Sequence, residues 1–183
     1  HKNVFIETVR YLRFKQIEKA VYSKNNYILE SVSETLEAYL KKEFHAQPQH
    51  CVIATEDIPK KFTPEQHKIF RNRYRKKFNI PETETVFVYS GSYKPWQYPE
   101  QTLLFFRNQN KGILLLFTPD THTFEKLVKK LNIKNVVIKN MDNKHLVPAL
   151  CAADYGLLFG ENHIINWVAR PTKALEYQAA HVE

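Results

Sequence analysis

Pro171, Thr172 and Lys173, followed one turn later by Glu176, are the residues whose types and spacing point most directly to chemistry. A proline suits the first turn of a helix, because the N–H it lacks is one the helix leaves unpaired. Thr172, Lys173 and Ala174 would then present free N–H groups at a helix N-terminus. Such an end attracts an anion, and a diphosphate held there would gain the Lys173 ammonium as well. Glu176, one turn deeper, could accept two hydrogen bonds from the hydroxyls of a ribose. As a first-turn glutamate it could equally do no more than complement the helix dipole. Arg170 precedes the same N-terminus, where a cation is unfavourable without an anion nearby, so it is a candidate diphosphate partner. Gly91, one of four glycines, stands between Ser90 and Ser92 where a strand gives way to a helix. Without a side chain it would let backbone N–H groups approach a phosphate, although a plain tight turn fits Ser-Gly-Ser as well.

The elements that must position these residues are legible in the hydrophobic pattern. From Thr85 onward, "TVFVYSG", "GILLLFTP", "NVVIKN" and "YGLLFG" are short apolar runs, each followed by a polar stretch of helical period. Continuous apolar runs alternating with helices indicate a parallel sheet covered on both faces. The fold class is therefore α/β, a Rossmann-like doubly wound sheet whose ligands sit beyond the carboxyl ends of the strands. In a 3-2-1-4 strand order the first and fourth strands are neighbours, and "SGSYKPW" and "GENHIINWVARPTK" face one crevice. Helices are expected over 95–108, over 122–131 with Phe124, Leu127, Val128 and Leu131 inward, over about 144–153, and over 171–180. Pro148 favours a start of the third helix near His145.

Upstream, residues 3–22 place Val4, Phe5, Val9, Leu12, Ile17 and Val21 at helical spacing, the pattern of an amphipathic helix. "NYILES" and "HCVIATE" read as strands, and Ser31 with Glu34 as a capping box opening the helix between them. "DIPKKFTPEQ" is a turn-rich connection. The domain organisation expected is 1–55 as a helix-strand-helix portion of a second α/β domain, 56–83 as linker and basic helix, and 84–183 as the Rossmann-like domain.

The net charge of +8 is concentrated in that basic helix, where Arg71, Arg73, Arg75, Lys76 and Lys77 surround a stripe of Phe70, Tyr74 and Phe78. The stripe predicts a surface helix docked by its aromatics with its cations solvated. A nucleic-acid patch, or attraction to an anionic membrane surface or a pyrophosphate-bearing lipid, are the functional alternatives. Trp96 and Trp167 read as packing residues of a core or interface. Two cysteines far apart, with no CxxC, and eight scattered histidines argue against a disulfide framework or a metal site. No apolar run is long enough to span a membrane and the start lacks a signal-peptide core, so a cytoplasmic location is expected, with peripheral attachment at the inner membrane face as its variant.

"DYGLLFGENHIINWVARPTKALEYQAA" resembles the nucleotide-binding half of retaining, two-domain, B-type glycosyltransferases, in particular the bacterial branch that builds capsule and surface polysaccharides. The resemblance rests on Ala153-Asp154 before an aliphatic strand, Asn166 in the loop, Pro171-Thr172-Lys173, and Glu176-Tyr177. "VYSGSYKPWQYPE" is similar to the first-strand loop of that family, "ILESVSETLEAYL" to the end of its other domain, and "CVIATEDIPKKF" to the link between domains.

The resemblance implies a donor site for a nucleoside-diphosphate sugar, of uridine type by preference, and transfer to a polysaccharide or lipid-linked acceptor. Glu176 would bind the ribose, and the amides of Thr172 and Lys173 the diphosphate. Gly91 and Ser92 would line the phosphate side, and the loop from Glu161 to Asn166 would face the sugar. No metal or other cofactor is implied, since dipoles and basic side chains neutralise the leaving diphosphate. Catalytic residues are not assigned. Where many relatives carry a further glutamate eight positions before Glu176, this chain has Val168, and where they end the helix with a glycine and then a proline it reads Ala180, His181, Val182, Glu183. The expectation is an interior piece of a longer enzyme, inactive by itself, with the outer edge of the fourth strand bare. A non-catalytic nucleotide-binding domain of the same fold is the second reading, and a basic nucleic-acid module the third.

Overall fold

The computed structural model describes residues 2–24, 29–46, 51–53, 58–160, 162, 164–170 and 172–183, with side chains left out at 2–6, 29, 51–53 and 165. In chain order the elements are α1 (Lys2–Tyr22), β1 (Leu29–Ser31), α2 (Glu34–Phe44), β2 (Cys51–Ile53), α3 (Pro64–Lys77), β3 (Val86–Ser90), α4 (Pro99–Asn108), β4 (Ile113–Phe117), α5 (Thr121–Lys130), β5 (Val136–Lys139), α6 (Asn143–Leu150), β6 (Tyr155–Gly156), α7 (Ile164–Val168) and α8 (Thr172–Ala179). They divide into two compact units, one from the described residues of 1–57 and 162–170, the other from those of 58–161 and 171–183.

In the second unit all four strands run parallel in the order β5-β4-β3-β6, the 3-2-1-4 arrangement expected. The period of two along each strand divides the core between the two faces. Val86, Val88, Leu115 and Phe117 pack with Tyr74 of α3, Ala149 and Leu150 of α6, and Tyr177 of α8. Phe87, Tyr89, Leu114 and Leu116 pack with Leu103 and Phe106 of α4 and Phe124 and Leu127 of α5. Two layers of helices on one parallel sheet make the fold a Rossmann-like one.

Local departures from the expected pattern have identifiable causes. The helix expected over 95–108 is broken: Pro95–Gln97 forms a 3-10 turn, Tyr98 takes a left-handed backbone (φ 49°), and Pro99 starts α4. A proline at a first turn restarts a helix more readily than it continues one. Helix α6 begins at Asn143 and carries Pro148 in its interior, not its first turn. Pro148 has no N–H to offer the carbonyl of Lys144 one turn earlier. The outer edge of β6, expected to be bare, carries Glu183, whose N–H donates to Asp154 O (3.0 Å) and whose carbonyl accepts from Gly156 N–H (2.7 Å).

The basic helix requires the main correction. Tyr74 is buried and Phe70 and Phe78 are partly buried, as the stripe predicted, but two of its cations are structural and not solvated. Arg75 is 0% exposed. Its Nε donates to Ala152 O (3.0 Å), its Nη1 lies within 3.0 Å of the carbonyls of Pro81, Glu82 and Glu84, and its Nη2 meets Asp154 Oδ2 at 3.0 Å. Arg71 Nη2 meets Asp154 Oδ1 at 2.7 Å, and the Val86 N–H donates to Asp154 Oδ2 at 2.7 Å. Asp154 thus joins α3 to the amino ends of β3 and β6. The helix itself opens on a capping box: Thr63 Oγ1 accepts from Gln66 N–H (3.2 Å) and Gln66 Oε1 from Thr63 N–H (3.0 Å).

Gly156 and Tyr177 fix β6 against α8. The Tyr177 hydroxyl accepts from the Ser90 N–H (3.2 Å) and faces the carbonyls of Leu157 (3.4 Å) and Val88 (3.5 Å), one of which receives its proton. A Cβ on Gly156 would stand 2.3 Å from the Tyr177 ring. Gly156→Ala is therefore expected to cost about 1–3 kcal/mol through overpacking, read as a lowered urea midpoint, and Tyr177→Leu in the same background to recover part of it.

In the first unit β1 and β2 pair in parallel, Leu29 with Cys51 and Ser31 with Ile53. Leu40, Phe44 and Ala46 form its small core with Tyr22, Leu36 and Tyr39. The cap of α2 is Ser33, not Ser31: Ser33 Oγ accepts from Leu36 N–H (3.0 Å), while Ser31 Oγ donates to Ser33 O (2.7 Å) and closes the turn ahead of it. Helix α1 does not bury the apolar face expected of it. Val9, Leu12, Ile17 and Val21 are all exposed, and Phe14 is 64% exposed, because the apolar residues are spread round the helix. Val4 and Phe5 lie outside the described side chains. Among the described residues no helix is long and apolar enough to cross a membrane.

Candidate functional site

Beyond the carboxyl end of β3 the chain must leave the sheet without blocking the start of α8, and Gly91 makes that possible. Its φ is +141°, and a Cβ there would stand 2.7 Å from both Cε and Nζ of Lys173 and 3.2 Å from Gln97 Oε1. Gly91 stands where the strand ends, and what approaches its backbone in the structure is a lysine side chain. The Gly91 N–H is already bonded to Phe117 O (2.9 Å). The loop that follows is tied down by Tyr93 N–H, which donates to Asp120 Oδ2 at 2.7 Å.

Lys173 lies over the Tyr89 ring, Nζ 4.2 Å from its centroid, and donates to Gln97 Oε1 at 3.0 Å. Tyr89 OH shares that acceptor at 3.1 Å and also faces Ser92 O at 3.3 Å. Burial lowers the Lys173 ammonium from 10.5 to about 8, against the attraction of Glu176. Burial likewise raises the Glu176 carboxyl, against the pull of Lys173 and Ser90. Ser90 is 2% exposed. Its hydroxyl is close enough to Glu176 to favour the carboxylate, yet it falls short of regular hydrogen-bond geometry with any group and is a buried oxygen without a partner. The result is a cation and an anion, both incompletely solvated, and a spare hydroxyl at the N-terminal turn of α8.

Such a site is held at a cost in stability. Between about pH 8 and 10.5 the unfolded chain binds more protons at Lys173 than the folded one, so the unit gains stability as pH rises through that window. Glu176 has the opposite sign: its contribution is present at acid pH and is lost as pH rises through its raised folded value. Replacing both together, Lys173→Met with Glu176→Gln, is expected to stabilise the unit at pH 7 by about 1 kcal/mol while removing anion affinity. Thermal unfolding against wild type measures it; a clear loss of stability would mean that the pair is structural.

The other sequence candidates are distributed as follows. Thr172 is the first residue of α8 and exposed, and Ser92 is half-buried in the loop after β3. Asn166 is on α7 and exposed, within the first unit. Arg170 also belongs to the first unit, where its Nε donates to Val32 O at 2.9 Å. Glu161 and Pro171 lie outside the described residues. Trp96 and Trp167 are not core residues: they are 42% and 62% exposed. Lys94 Nζ stands 5.9 Å from the Trp96 ring. Tyr89, Ser90 and Gln97 were missed. Tyr89 and Ser90 end the first apolar run, and position in that run was the available signal; Gln97 follows the Pro-Trp pair and carried none. At the opposite, amino end of the strands a cavity of about 470 Å3 is lined by His67, Arg71, Glu82, Asp154, Tyr155 and His181 among others, none of them a predicted site residue.

The four-stranded parallel sheet with its two helical layers is the Rossmann-like architecture of B-type glycosyltransferases. Sucrose-phosphate synthase from Thermosynechococcus elongatus superposes with a TM-score of 0.58 at 20% identity, over 82% of this chain and 40% of that one. A glycosyltransferase from Rickettsia africae does so with a TM-score of 0.54 at 14% identity, over 79% of this chain and 41% of that one. The chain thus spans about two-fifths of the length of these solved relatives. No protein-family model matches the sequence, and no curated protein matches it.

Proposed function

We propose that this chain is the donor-binding region of a retaining glycosyltransferase, holding a nucleoside-diphosphate sugar, of uridine type by preference, for transfer to a polysaccharide or lipid-linked acceptor. The observation that carries this reading is the convergence of Lys173, Glu176 and the unpartnered Ser90 hydroxyl where β3 ends and α8 begins. In this reading the first amides of α8 and the Lys173 ammonium hold the diphosphate, and Gly91 keeps the approach open. Glu176 takes the ribose hydroxyls, with Ser90 beside it as a further donor or acceptor. Charge developing on the leaving diphosphate would meet the helix dipole and Lys173, so no metal is required of the chain. By the resemblance, Glu161 and Asn166 are the sugar-facing residues of the proposal and Arg170 its additional diphosphate partner. Acceptor chemistry, location at the inner face of a membrane, and turnover by the whole protein belong to the same proposal.

The structural roles of Arg71 and Arg75 favour this reading over a nucleic-acid module, since two of the cations that module needs are bound to Asp154. The test is a comparison of UDP, GDP, ADP and CMP by ligand-detected NMR on the isolated chain. Selective saturation transfer from one nucleoside diphosphate supports the proposal. Equal response to all four, or displacement of all by salt alone, contradicts it.

A further inference from the structure

Gln97 lies in the first-strand loop, where the sequence gives it no role of its own, yet its side-chain oxygen is where the groups of the crevice meet. It accepts from Lys173 Nζ at 3.0 Å and from Tyr89 OH at 3.1 Å, and two donors on one atom fix which end of the amide faces inward. The Tyr89 ring completes a cage around the ammonium at 4.2 Å, and the bare Cα of Gly91 closes it. Among the described residues, the cage offers the ammonium one neutral acceptor and one ring face.

We propose that Gln97 is a positioning residue that sets the proton affinity of Lys173, and that binding of a diphosphate in this crevice is coupled to uptake of a proton from solvent by the Lys173 amine. The second half of the proposal rests on the donor-site reading above; the first does not. An ammonium held by neutral groups and partly stripped of water gives up its proton readily, whereas a diphosphate beside it supplies the missing negative charge and restores the cation. The ligand-free amine at about 8 is consistent with that cage.

Among the described residues, these titratable and charged groups surround Lys173. Glu176 on the same helix is the anion that bears on it, and is itself raised by burial. Tyr89 on β3 stays neutral because burial, Tyr177 and Asp120 all push its phenol upward. Tyr177, beyond Ser90, is pushed up to about 12 by burial. Asp120 is bonded to the Tyr93 N–H, and the Lys94 ammonium faces the Trp96 ring.

The test is calorimetry of UDP binding in buffers of different ionisation enthalpy at pH 7 and pH 8.5. Wild type is expected to take up about a tenth of a proton at pH 7 and roughly three-quarters at pH 8.5. Gln97→Leu removes the acceptor and moves uptake to lower pH, so that it exceeds wild type at pH 7. Gln97→Glu supplies a fixed negative charge and abolishes uptake at pH 8.5. Equal uptake by all three proteins, or none by wild type at pH 8.5, overturns the proposal. An NMR titration of the Lys173 side chain without ligand reads the same amine directly, its midpoint falling in Gln97→Leu and rising in Gln97→Glu. Those shifts without UDP binding would uphold Gln97 and sink proton uptake and the donor reading together. Identical midpoints would sink the role of Gln97 whatever binds.

Discussion

Asp154→Ala is expected to remove about 3–5 kcal/mol from the stability of the sheet-bearing unit, because it leaves the guanidinium of Arg75 inside the protein without its carboxylate. A domain of this size has roughly 5–15 kcal/mol in all, so the variant should lose a large share of its stability. Three connections fail at once: Arg71, Arg75 and the Val86 N–H each lose their acceptor on Asp154. Asp154→Asn keeps one oxygen for Val86 and should lose distinctly less. Urea unfolding followed by circular dichroism separates the two, and a loss below about 1 kcal/mol for the alanine variant would show that the carbonyls around Arg75 suffice without the carboxylate.

Gly91→Ala should have the second large effect, and on binding more than on folding. At φ +141° an L-residue is strained, at a cost of about 1–3 kcal/mol, and its Cβ would occupy the space of Lys173 Cε and Nζ. Lys173 can swing away because its chain is flexible, so the protein should remain folded while its ammonium leaves Gln97 and the Tyr89 ring. Diphosphate affinity is expected to fall about 100-fold, the loss of a charge-assisted contact with its pre-organisation. Native-like thermal unfolding together with unchanged affinity would show that Lys173 takes no part in binding.

The sheet was readable because four apolar runs alternate with helical stretches, and that pattern admits few alternatives. The start of α8 at Thr172 and Lys173 was readable because helix-start chemistry is local in sequence. Gln97 and Ser90 were not, since their roles come from contacts 76 residues apart in one case and from an unfilled hydrogen bond in the other. The basic helix misled for a related reason: a cation at a surface-facing period looks the same whether it meets water or, as Arg75 does, a carboxylate 79 residues away. The restart at Pro99 and the cap at Ser33 are cases where a proline four positions on, or a serine two positions on, competes for the same helix start, and tertiary packing chooses between them.

Calorimetric titration of UDP into the chain and into Glu176→Ala tests the central claim most directly. The donor-site account predicts one binding site in wild type and a roughly 10- to 100-fold weaker one in the variant, the worth of hydrogen bonds to a charged group. Equal affinity in both proteins, or no binding to a wild-type chain shown to be folded, would contradict it.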